Sequence, residues 1–341
     1  MVGVENGAHR LTAPALDADG VARALHGGPR LQPAHFEPAR VPLEVACYGP
    51  GGGSLGVGRP GKVGVLELSF ALRGPPGRRR TELVHHFQKS PLQIMRPLYF
   101  DDARPDMPYT YLMTTGGGVL HGDRQRTDLA FGPRTSAHVT TQAHTKLYRM
   151  DRGFATAILN IDIAADAYVE YLPDPVIPYA HSRFYQRTCV TLDGSGTLLF
   201  GETLYAGRLS RGERNEYDVY ASDLEVRRPD GRPVLVDRVR LTPRRGRSAG
   251  LGVLDGRDIV STLYVLAPGV AAPALADCLH DALRDTIDDD TRFGVSILPG
   301  EAGAWLRMVG DDTVTTTAGC RAAWAAARDL LTGHPAPKIR K

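Results

Sequence analysis

Cysteine is scarce: Cys47, Cys189, Cys278 and Cys320 are the only four in 341 residues. No gap between them matches the short paired spacing of zinc sites or small disulfide scaffolds, so they read as reduced thiols. Net charge is also small, because 41 Lys and Arg stand against 38 Asp and Glu to leave a formal +3. A balance that even excludes the polycationic surface on which nucleic acid binding depends. No apolar run approaches the ~20 residues of a membrane-spanning helix, and the first twenty-five residues hold no apolar core of a secretory leader. These absences predict a soluble cytoplasmic protein with neither nucleic acid nor membrane as partner.

Pattern is missing as well from residues 1–60, which are rich in Gly, Pro and Ala and end near Gly51-Gly52-Gly53. Such a stretch is expected to be a flexible N-terminal extension. From residue 62 the texture changes, and residues 62–340 are expected to form one β-rich domain. Leu66, Leu68, Phe70 and Leu72 alternate with Glu67, Ser69 and Ala71, the period of a half-buried strand. The same reading recurs at 81–88, 109–115, 138–142, 155–163, 183–192, 197–205, 234–241 and 259–266, with Gly, Pro or Asp clusters between most of them. Many short strands without alternating helices predict a mainly β, two-layered body with antiparallel pairing. Two helices come late: Leu275, Leu279, Leu283 and Ile287 recur after Pro273, and Cys320, Ala323, Ala327 and Leu330 before Gly333.

Several familiar sources of chemistry fail on inspection. Gly56 to Lys62 has the glycine and lysine spacing of a phosphate loop, but Val63 stands where Ser or Thr must hold Mg²⁺, and a strand follows where a helix is needed. No nucleophile elbow is present, and Ser195 lies in the turn Asp193-Gly194-Ser195-Gly196. His85 and His86 are adjacent on a strand and point to opposite faces, so they cannot easily share a metal. The run Arg78-Arg79-Arg80 reads as a solvated loop.

Carboxylates are the more informative residues. Glu202 shares a strand face with Leu198, Phe200 and Leu204, Asp237 with Leu235, Val239 and Leu241, and Glu170 falls between Tyr168 and Leu172. Burying such charges costs several kcal/mol unless each finds an ion, a donor or water. Two readings stay open: pairing with arginines such as Arg96, Arg183 and Arg208, or an internal hydrated passage whose oxygens suit a divalent cation weakly.

Five segments, in order, resemble the UreD (UreH) family of urease accessory proteins. They are Pro91 to Leu98, the turn from Gly116 to Asp123, Thr141 to Arg149, Glu170 to Ala180, and Gly207-Arg208 with Gly212-Glu213. The resemblance implies a β-helix-like, two-layered body with two C-terminal helices and no catalysis of its own. It implies UreF and apo-urease as direct partners, the GTPase UreG reached through UreF, and a dimer of heterodimers with UreF. It also implies that nickel passes in transit through an internal polar tunnel, with no permanently bound cofactor; the residues matching its lining are Asp123, Thr145, Glu202 and Asp237. Two other expectations compete with a conduit. One is nickel storage through His85, His121 or His144, and the other, less favoured, is an all-β hydrolase using Glu170 and Glu202 as an acid/base pair.

Overall fold

The computed structural model describes residues 35–49, 61–246, 250 and 253–339. Among the described residues a short helix, α1 (Leu43–Ala46), precedes the β body. The strands then run β1 (Val63–Arg73), β2 (Arg80–Lys89), β3 (Leu92–Gln93), β4 (Tyr109–Thr114), β5 (Arg124–Phe131), β6 (Ser136–Thr141), β7 (Thr145–Leu147), β8 (Ala155–Ile163) and β9 (Tyr168–Tyr171). They continue with β10 (Val176–Pro178), β11 (Arg183–Leu192), β12 (Thr197–Tyr205), β13 (Val219–Arg227), β14 (Pro233–Leu241) and β15 (Ile259–Leu266). Helix α2 (Ala272–Arg284), strands β16 (Arg292–Ile297) and β17 (Gly303–Gly310), and helix α3 (Thr313–Thr332) complete the chain.

Two sheets face each other. The first has the order β14-β13-β11-β8-β5-β1-β2, and the second β16-β17-β15-β12-β9-β6-β4-β3 with β7 and β10 attached beside β12. Successive strands cross from one sheet to the other: β4 in the second, β5 in the first, β6 in the second, β8 in the first, and so on to β13. A chain that winds in this way lays each new strand beside the one a full turn earlier, running in the same direction. Pairing is accordingly parallel through the middle of both sheets, from β1 through β5, β8 and β11 to β13, and from β4 through β6 and β9 to β12. Antiparallel pairs appear at the ends, as β1–β2, β13–β14, and the meander of β12, β15, β17 and β16. The mainly β class, the two layers, the β-helix-like winding and the two C-terminal helices are as expected, with the antiparallel pairing read from the strand pattern found at the ends of the sheets and parallel pairing in their middle.

The helices cover the second sheet on its outer face. Leu275, Leu279 and Leu283 of α2 and Ala323 and Ala327 of α3 meet Leu199, Val265, Leu306 and Met308. Helix α3 starts at Asp312, whose side chain accepts from the Thr315 N–H at 2.6 Å, and stops at Gly333 with φ 67°. The first sheet has its own partial cover: Val45 of α1, fully buried, packs with Phe154, Tyr185, Val219 and Ala221. Residues 35–49 therefore lie against the body, while the rest of the expected extension and nearly all of the phosphate-loop-like stretch fall outside the described residues. Strand β1 does begin at Val63, directly after Lys62.

Candidate functional site

Alternation along each strand sends one set of side chains between the sheets, and at one level that set turns polar. On β12 the inward residues are Leu198, Phe200, Glu202 and Leu204; Phe200 belongs to one apolar cluster and Leu204 to another, so Glu202 stands at the boundary. On β11 the boundary residue between Val190 and Phe184 includes Gln186, and on β13, between Leu224 and Tyr220, it is Ser222. Register aligns these residues. Gln186 lies opposite Ser222, and Glu202 lies opposite Thr262, which lies opposite Arg307. A transverse polar layer therefore cuts the core in two.

Hydrogen bonds cross that layer from sheet to sheet. Gln186 Nε2 donates to Glu202 Oε1 at 3.2 Å, and Ser222 Oγ donates to the same oxygen at 3.3 Å. At the edge, Asp237 of β14 accepts from the Tyr264 hydroxyl and, at 2.6 Å, from Arg307 Nη2. Arg307 Nε also donates to Thr262 Oγ1 at 3.2 Å. Burial pushes the Glu202 carboxyl up to about pH 7, the nearby Asp237 charge adds to the rise, and Ser222 and Arg307 oppose it. Burial, with Glu202 contributing, raises the phenols of Tyr171 and Tyr220 above their ordinary value.

Toward the other side the layer opens into a cavity of about 140 Å³. Gln186 and Tyr171 line its inner end, with Gln125, Thr127, Thr145 and His144 along its walls and Gly116, Gly117 and Gly118 beside them. Those glycines are required by space: a Cβ on Gly117 would stand 2.6 Å from the Tyr148 hydroxyl, and one on Gly118 2.7 Å from the Lys146 carbonyl. Thr145 thus lies on the cavity, Glu202 just beyond its inner end, and Asp237 at the far edge.

Asp123 has a different setting. It is 1% exposed and does not line the cavity. Its Oδ1 accepts from the backbone N–H groups of Gly61 and Lys62 at 3.1 and 2.8 Å, and Oδ2 from that of Leu120 at 2.9 Å. The carboxylate clasps the glycine turn to the start of β1. Asp123→Ala leaves three amides without their acceptor, at on the order of 1–3 kcal/mol for each group that stays buried. The expected outcome is a melting temperature lowered by several degrees, with Asp123→Asn, which keeps one carbonyl oxygen, losing less in the same thermal scan.

The arginine partners suggested by the sequence are engaged elsewhere or exposed: Arg183 pairs with Asp218 and Arg208 with Glu213, while Arg96 is exposed. Asp237 is paired, but with Arg307, and its side chain keeps 27% of its exposure, so it is not buried as alternation implied. Glu170 pairs on the other face of the second sheet with Arg328 of α3. Its register partner on β12 is Leu199, which faces the helices, whereas Glu202 faces the first sheet. One carboxylate on each side of a sheet cannot serve one substrate, which removes the Glu170/Glu202 acid/base pair.

The histidines are dispersed. His85 on β2 is 3.9 Å from Glu67, His144 is on the cavity wall, and His121 precedes the Asp123 clasp. Among the described residues no three His, Cys, Asp or Glu side chains come together as a metal site. Sequence reasoning missed Gln186, Ser222, Thr262, Tyr264 and Arg307. The signal was a polar residue on the inward phase of each strand, legible only once strand phases were known.

The family model described as UreD urease accessory protein matches residues 62–341. A urease accessory protein UreD 2 of Streptomyces griseus is 48% identical over 290 residues, covering 84% of this chain and 97% of that protein. A UreD 2 of Brucella suis is 34% identical over 297 residues, 86% of this chain and 96% of its own, and a UreD of Cenarchaeum symbiosum 33% over 289 residues, 85% and 99%. The chain belongs to the UreD family of urease accessory proteins.

Proposed function

We propose that the chain is a non-catalytic scaffold of urease maturation in the cytoplasm. It binds apo-urease together with UreF, two such heterodimers associating, and receives nickel from the GTPase UreG held by UreF. The metal moves along the polar layer, entering by the cavity beside Thr145, passing Glu202 and leaving by Asp237. Asp123 contributes by fixing the turn that borders the cavity.

The observation that carries this reading is Glu202: a carboxylate half-buried between two sheets, hydrogen-bonded by the neutral groups Gln186 and Ser222 and adjoining a cavity. A structural carboxylate at such a depth is normally matched by a cation of its own. Oxygen donors in small number hold a borderline metal such as Ni²⁺ loosely, and loose holding is what a conduit needs, because the ion must leave as readily as it enters. Nickel is thus cargo, and no cofactor is permanently bound.

Co-expression with UreF, UreG and apo-urease tests the role. The expected result is one complex containing this chain on size exclusion, and urease that emerges short of nickel when the chain is left out. Urease that fills with nickel equally well without it overturns the scaffold reading.

A further inference from the structure

Two arginine–carboxylate pairs hold the second sheet to its neighbours, and they differ in one respect. Arg328 is fully enclosed with Asp101 and Glu170. Arg307 is not. Its side chain is 37% exposed, its guanidinium lies over the Trp305 ring at 5.1 Å, and its Nη2 reaches Asp237 Oδ2 at 2.6 Å. Both ends of this pair stand at the border of the sandwich: Asp237 on β14, the terminal strand of the first sheet, and Arg307 on β17, one strand from the end of the second. Arg307 is therefore a positive charge on a flexible stem, seated on the last carboxylate of the polar layer, with solvent open to it on one side.

We propose that Arg307 is a tethered cation that plugs the edge of the polar layer by occupying Asp237, so that a divalent metal reaches that carboxylate only by displacing the guanidinium outward. This rests on the conduit reading and adds its regulation. The chemistry is a competition: a guanidinium and a metal ion seek the same oxygens, and both cannot be accommodated beside Asp237 and Glu202 without charge repulsion. The Tyr264 hydroxyl, which also donates to Asp237, keeps the carboxylate in place whichever cation holds it. A plug of this kind explains why the layer can carry two carboxylates and yet not trap the metal. The apparent affinity for a cation falls by the fraction of time the site is free, so a plug seated nine-tenths of the time weakens binding about tenfold. Docking of a partner against this edge is the natural way to lift Arg307 away and set the direction of release.

The test is equilibrium dialysis of the purified full chain against Ni²⁺. Arg307→Gln is expected to bind Ni²⁺ at least tenfold more tightly than the native chain, Arg307→Lys to bind close to native, and Arg307→Gln combined with Asp237→Asn to lose the gain. Thermal melts establish that each variant is folded; Arg307→Lys, which retains the charge, carries the comparison should the glutamine variant unfold, and tightening by the lysine variant equal to or above tenfold would overturn the plug. So would an unchanged affinity in folded Arg307→Gln, or a gain that survives Asp237→Asn. Dialysis of the isolated chain addresses the plug alone. Nickel content of urease matured with Glu202→Gln addresses the conduit alone, so the two ideas fail separately.

Discussion

Arg328→Met is expected to lower the melting temperature by roughly 10 °C, the largest loss of stability for any single change in the body. Arg328 is 0% exposed and reaches from α3 into a closed polar group: Nη2 meets Asp101, and Nη1 lies 2.8 Å from the Tyr109 hydroxyl and 3.4 Å from Glu170. Glu170 in turn is held by His138 Nδ1 at 2.6 Å and the Tyr168 hydroxyl at 2.6 Å. Burial works against the ionised form of Glu170, but the contacts with His138, Arg328 and Tyr168 outweigh it and keep the carboxyl below its ordinary value. Removing the guanidinium leaves two enclosed carboxylates without the cation they share. Breaking a buried pair from one side costs about 3–5 kcal/mol, and each kcal/mol shifts the melt by about 2 °C in a domain of this size.

Because the folded-state pKa of Glu170 is depressed, its contribution is present above the unfolded value of 4.5 and fades as pH falls through the folded one. The deficit of Arg328→Met measured by calorimetry should therefore be greatest near neutrality and shrink in acid. The triple change Arg328→Met, Asp101→Asn and Glu170→Gln should recover much of the loss, since replacing all the charges leaves none unpaired. A melt within 2 °C of native for Arg328→Met would mean that this cluster does not anchor α3.

Glu202→Gln is expected to do two opposite things: stabilise the fold and impair nickel delivery. The folded pKa of Glu202, about 7, stands above its ordinary 4.5, so the folded chain binds the proton more tightly than the unfolded one. The stability linked to that proton is complete below pH 4.5, declines as pH rises through the window from 4.5 to 7, and is gone above it. Glu67 behaves alike, burial first and the Asp128 charge second pushing it to about 7. Glutamine at 202 keeps the carbonyl that accepts from Gln186 and Ser222 and never ionises. The variant should gain in melting temperature over the native chain at pH 8 and show no such gain at pH 5. Equal melts at both pH values would contradict the burial argument. Under the proposed conduit, a side chain that costs stability when charged is kept as a carboxylate for the metal that passes it.

How far the sequence anticipated the molecule depends on the residue. The strands with apolar inward faces, such as Leu66 to Leu72 or Ala155 to Ile163, were legible because alternation alone reports burial on one face. Strand β5 was not, because its inward residues Gln125 and Thr127 line the cavity and so break the apolar phase. Strand direction was illegible for a different reason. A short strand, a turn and a short strand look the same whether the chain doubles back as a hairpin or winds on to the opposite sheet, and only the long-range register separates the two. Glu202 was correctly marked as inward-facing by its neighbours Phe200 and Leu204. Its partners were not, since Gln186, Ser222 and Arg307 come from strands that meet β12 only in the folded solenoid. Asp123 was marked by its position after a glycine turn, and its amide clasp is a matter of backbone geometry that residue type does not encode.

The decisive measurement is the nickel content of urease matured by a chain carrying Glu202→Gln, per active site and with the accessory complex confirmed intact. A conduit through the polar layer predicts nickel several-fold below native from a complex that assembles normally and melts no lower. Urease filled to the native level by that variant would contradict it.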